Sequence, residues 1–110
     1  MTPRLKHTLE KLAAAGIQII PAEVTSHFIL ERDGFVSLVE RNQDVERPDT
    51  DGNPFGHIGA AGLMTERGFA ALIWRAHQAF FVGKGFERQA SPEEVEKIRA
   101  FASDLANALD

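Results

Sequence analysis

The chain contains no cysteine, which excludes disulfides, thiolate nucleophiles and cysteine-ligated metal sites and leaves packing as the source of stability. It has no cluster of lysine and arginine and carries a formal net charge of -4. The electrostatic footprint of a nucleic-acid binder, or of a protein drawn to anionic membranes, is therefore missing. No apolar stretch approaches the length of a membrane span, and Met1-Thr2-Pro3-Arg4-Leu5-Lys6-His7 lacks the apolar run of a secretory signal. These absences lead to the expectation of a cytoplasmic protein with neither nucleic acid nor membrane among its partners.

Motifs for chemistry are equally scarce. Ser26, Ser37, Ser91 and Ser103 are the only serines, and none stands in a Gly-x-Ser-x-Gly elbow. His7, His27, His57 and His77 show no paired ligand spacing such as His-x-x-x-His. The glycine-rich Gly56-His57-Ile58-Gly59-Ala60-Ala61-Gly62 lacks the spacing of a phosphate cradle, and no helix start follows it. Nothing in the sequence calls for a cofactor.

What the sequence does contain is architecture. At 110 residues, with 44% hydrophobic and 25% charged residues, it has the length and composition of one globular domain over 1–110. Pro3 suits the first position of a helix whose Leu5, Leu9, Leu12 and Ala13 share a face, and Gly16 supplies the stop, giving a helix over about residues 3–15. Ser91-Pro92-Glu93-Glu94 is a capping box with proline at the first helical position. It opens an amphipathic helix along Val95, Ile98, Phe101, Ala102, Leu105 and Leu109.

Between the helices lies a near-repeat. Gly34-Phe35-Val36-Ser37-Leu38-Val39-Glu40-Arg41 returns as Gly68-Phe69-Ala70-Ala71-Leu72-Ile73-Trp74-Arg75, each copy preceded by a Glu-Arg pair. This predicts successive hairpins. A three-residue loop Arg32-Asp33-Gly34 would pair Phe28 with Leu38 and Leu30 with Val36 and gather one clean apolar face. A two-residue Asp-Gly turn would set Leu30 opposite Ser37 and leave both faces mixed, so the longer loop is expected. The same loop at Glu66-Arg67-Gly68 would set Gly62, Ala61 and Ala60 opposite Leu72, Ile73 and Trp74, small against large. Residues 69–82 also fit a helix with Phe69, Leu72, Ile73, Ala76 and Phe80 on one face, and Ala76-His77-Gln78 contains no turn former. The dense Phe80-Phe81-Val82 run favours strands.

The long segment from Asn42 to Gly56 holds Asp44, Glu46, Asp49, Asp51 and Asn53 against Arg47 as its one basic residue. Loops of this length in compact domains are commonly functional. Asp49-Thr50-Asp51-Gly52-Asn53 begins like a calcium loop, but Pro54 and Ala60 occupy the places of its required glycine and glutamate. His57, at the exit of this loop, can be oriented by Asp49 or Asp51. These three are the candidate ligand-binding residues, and no catalytic or metal site is assigned.

The expected fold is α+β: an antiparallel β-meander of four to six strands in two layers, flanked by an N-terminal and a C-terminal helix. The later strands are apolar on both sides, which predicts self-association through a sheet face, with Trp74 and one of Phe80 or Phe81 in the contact. A non-catalytic interaction or ligand-binding module, homodimeric, is the preferred function. The rival is a small metal-dependent or acid-base enzyme using the acidic loop and His57.

Overall fold

The computed structural model of the chain describes residues 3–20, 26–42 and 53–110. Helix α1 (Pro3–Ala14) leads into strands β1 (Gln18–Ile20), β2 (His27–Arg32), β3 (Phe35–Arg41), β4 (Phe55–Thr65), β5 (Gly68–Arg75), β6 (Gln78–Gly83) and β7 (Phe86–Gln89), and helix α2 (Pro92–Leu109) closes the chain. The strands form one antiparallel sheet in sequence order, β1 to β7. The α+β class and both helices match the sequence expectation, but the strand number is seven. That is one more than the upper bound expected; the sheet ends on short edge strands, the three-residue β1 and the four-residue β7. Strands, and not a helix, occupy residues 69–82.

Both helices lie on one side of the sheet. Leu12 of α1 and Ile98, Phe101, Leu105 and Ala108 of α2 share a core with Leu30, Phe35, Val39, Phe55, Ala70, Ala79 and Phe81 of the strands. Arg32 at the end of β2 ties the layers together. Its guanidinium donates to the Ala15 carbonyl (3.1 Å) and to Asp104 of α2 (2.7 Å) and lies 5.6 Å from the Phe101 ring centre. Lys11 donates to the carbonyls of Asn107 and Asp110, so α1 supplies partners for the acceptors left free at the end of α2.

The register of both hairpins differs from expectation. Leu30 pairs with Ser37, Glu31 with Val36 and Arg32 with Phe35, which is the two-residue Asp33-Gly34 turn with both residues at positive φ. The clean-face criterion misleads here because both faces of this hairpin hold buried residues: Ser37 and Val36, on opposite faces, are 1% and 0% exposed. Ser37 satisfies its hydroxyl by donating to the Ala60 carbonyl. At the second hairpin Thr65 pairs with Gly68, Met64 with Phe69 and Gly62 with Ala71. The expected pairing of Gly62, Ala61 and Ala60 with Leu72, Ile73 and Trp74 does not occur. Thr65 makes the two-residue loop workable, accepting from Arg67 N–H and donating to the Gly68 carbonyl.

The start of α2 is built as its sequence dictates. Ser91 Oγ accepts from Glu94 N–H (3.1 Å) and Glu94 Oε1 accepts from Ser91 N–H (3.0 Å). Arg88 of β7 grips the same carboxylate with two 2.9 Å hydrogen bonds. The Arg88 hydrogen bonds, aided by Ser91 and opposed by burial, hold the Glu94 carboxyl at about 2, below its ordinary 4.5. A carboxyl depressed in the folded state stabilises the fold above its unfolded pKa and loses that contribution as pH falls through the folded one. The wild type should therefore lose on the order of 1–2 kcal/mol between about pH 4.5 and 2 through this group, solvent screening of the half-exposed Arg88 included. Urea titrations at stepped pH should show Glu94→Gln lacking this component; an unchanged acid profile in the variant would refute the assignment.

Candidate functional site

His57 is exposed on β4, in the part of that strand paired to β3. Two register shifts, between the Ser37, Val39 and Arg41 pairings, make this stretch of β4 one residue longer than its partner at each step. Asn42 and residues 53–55 are held together nearby. Asn42 N–H donates to the Pro54 carbonyl, the Asn42 amide donates to the carbonyls of Asn53 and Phe55, and Asn53 Oδ1 accepts from Phe55 N–H. Asp49 and Asp51, like the rest of 43–52, lie outside the described residues. Their meeting with His57 is not part of this geometry, and among the described residues no group of three His, Asp or Glu side chains is disposed to hold a metal ion.

The sheet separates its side chains in a way the sequence reading did not anticipate. Trp74 pairs with Ala79 and Leu72 with Phe81, which places Trp74 on the helix-covered side and Phe81 in the core. Phe80 pairs with Ile73 on the opposite face. Trp74 and Phe80 look away from each other across the sheet, so parity rules out one contact that includes both, and Phe81, on Trp74's side, is fully buried within the protomer. On Phe80's side lie Leu38, Met64, Phe69, Ala71, Ile73 and Val82, half-buried except for Met64, which is 43% exposed. Neither helix packs on this side.

At the other side, where β5 and β6 run past the start of α2, a cavity of about 410 Å³ opens. Ala79 and Ala90, both buried, form its floor and are joined by a hydrogen bond from Ala90 N–H to the Ala79 carbonyl. The two alanines leave the space that larger side chains would fill. Trp74 stands on one wall, 54% exposed, with the Arg99 guanidinium 5.9 Å from its ring. His77 forms part of the rim.

The hairpin turn at this rim is unusual. Arg75 pairs with Gln78, so Ala76 and His77 are the two loop residues, with φ of 49° and 72°. That is the conformation for which Asn-Gly is preferred. Alanine and histidine there each cost about 1 kcal/mol relative to glycine. The missing turn former was visible in the sequence, whereas the place of Trp74 was not, because it depends on the register of β6.

No family model, curated protein or solved structure matches the chain.

Proposed function

We propose that the protein is a small non-catalytic interaction module that acts as a homodimer, with the sheet face opposite the helices as the contact. The observation that carries this reading is the apolar band of Leu38, Phe69, Ala71, Ile73, Phe80 and Val82, which spans β3, β5 and β6 and which neither α1 nor α2 covers. Such a band on a sheet is ordinarily buried by another layer. Edge-to-edge pairing is a poorer route. The edge strands are three and four residues long, and β7 presents exposed Glu87, Arg88 and Gln89, features that discourage strand addition.

The size of the band limits its strength. Four strands about 4.8 Å apart and five residues at about 3.3 Å give a footprint on the order of 300 Å². That is short of the ~800 Å² per partner of a standard interface, so association in the micromolar range is expected.

Sedimentation equilibrium across about 1–100 µM should show a monomer–dimer equilibrium. Phe80→Asp would place a carboxylate in the apolar contact and should weaken dimerisation on the order of 100-fold. Its half-exposed position in the protomer leaves the fold intact. A monomeric wild type over the whole range would refute the proposal.

A further inference from the structure

We propose that the cavity between the β5–β6 hairpin and the start of α2 binds a free α-amino acid with an aromatic side chain, its ring against Trp74, its carboxylate on Arg99 and its ammonium on Glu96. The volume of about 410 Å³ lies in the range of small-ligand sites, and the floor of Ala79 and Ala90 is apolar while the rim is polar. Trp74 is the chain's one tryptophan, and leaving it 54% exposed forgoes the burial such a ring usually gains.

The charges point to a zwitterion. Arg32, Arg75 and Arg88 each hold a carboxylate of this chain. Arg99 instead lies against the indole ring, and neither it nor Glu96, one helical turn before it on the same wall of the cavity, forms an ion pair among the described residues. Side chains three apart on a helix are neighbours and of opposite sign they ordinarily attract. These two stay unpaired with each other while both line the cavity beside an exposed ring. A simple anion would find Arg99 but be repelled by Glu96, and a cation the reverse. A ligand carrying both charged groups on one carbon satisfies both, and a planar ring adds stacking on Trp74 and Arg99.

The strained Ala76-His77 turn supports the same location. A local rule is broken at the cavity's rim, and His77 forms no hydrogen bond or ion pair among the described residues that would offset it, the pattern expected where a side chain is kept for a ligand. This inference is independent of the dimer, whose proposed surface is on the other face.

Trp74 emission reports on the site directly. L-Phenylalanine titrated into the wild-type protein should shift or quench that emission saturably, with a dissociation constant between about 10 µM and 1 mM for a ligand of this size. N-acetyl-phenylalanine lacks the ammonium, phenylalaninamide lacks the carboxylate and alanine lacks the ring; each should bind at least about tenfold more weakly. Arg99→Gln and Glu96→Gln, at exposed positions, should each cost a comparable factor while leaving Tm unchanged. Replacing Ala76-His77 by Asn-Gly should raise Tm and lower affinity together. Absence of a saturable response to phenylalanine would overturn the proposal. So would equal binding of the acetylated or amidated compound, which would indicate a peptide terminus or an unspecific stack, or unchanged affinity in both charge variants.

Discussion

Truncating Phe81 to alanine should lower the stability of the fold by about 3–5 kcal/mol, whereas Phe80→Ala, one position away, should cost on the order of 1 kcal/mol. The two residues are alike in the sequence and opposite in the sheet. Phe81 is 0% exposed and its ring stacks with Phe35 at 6.5 Å between centroids. It sits beside Leu72 in the register and has the Arg88 guanidinium 5.2 Å from its ring. Removing it opens a void at the junction of β3, β5, β6 and α2 that none of these elements can close without losing contacts elsewhere. Phe80 faces the uncovered side, half-buried, with Arg75 5.6 Å from its ring, and its loss leaves solvent in its place. Against a total of about 5–15 kcal/mol for a domain of this size, the Phe81 change removes about a fifth or more. Urea unfolding at submicromolar concentration, where the proposed dimer is dissociated, isolates the protomer's own stability. Equal losses at the two positions would mean that the face assignment of β6 is wrong.

The helices were legible because their signals are local. Ser91, Pro92 and Glu94 interact within one turn, and the capping box read from them is the one in the structure. Gly16, with φ of 74°, ends the first helix as expected. Hairpin register was not legible, since it was inferred by assuming that one face of each strand is wet. The near-repeat shows the consequence most clearly. Phe35 aligns through Leu63 with Ala70, so the core position of the first copy corresponds to Ala70 in the second and Phe69 turns to the other face. Gly34 lies in its turn, while Gly68 is the first residue of β5. The two copies therefore share composition and present it to opposite sides of the sheet. The apolar surplus on a second face was readable from Phe69, Ala71 and Ile73, but which of Trp74, Phe80 and Phe81 belongs to it was not, because that parity is set by a turn with no recognised turn former. Of the candidate site, His57 could be placed at the loop exit from sequence; the Trp74, Arg99 and Glu96 grouping joins β5 to α2 and leaves no trace in local spacing.

Gly62→Ala should be the most damaging addition of a single methyl group, costing about 3 kcal/mol or more. A Cβ on Gly62 would collide with the Ala70 carbonyl oxygen and lie 2.8 Å from its carbon and 2.9 Å from the Ala71 Cα. All three are backbone atoms, so no side-chain rotation relieves the contact and β5 itself must move away from β4. It has nowhere to go. On its far side, Ala70 pairs with Gly83, where a Cβ would already stand 2.6 Å from the Phe69 carbonyl oxygen; β6 also approaches β5 closely there. Strand β5 thus runs between two glycines at the level of Ala70, which is 0% exposed and part of the core. Moving it would disturb the seat of Phe81 as well. Gly68→Ala is the informative comparison, since Gly68 has a φ of 108° but no atom within 4 Å of the added Cβ. That change should carry only the conformational cost of about 1 kcal/mol. Chemical denaturation of the two variants side by side should separate close strand approach from backbone conformation. A Gly62→Ala protein as stable as Gly68→Ala would show that β4 and β5 are not held at this distance, and with it the packing argument for Phe81 would weaken.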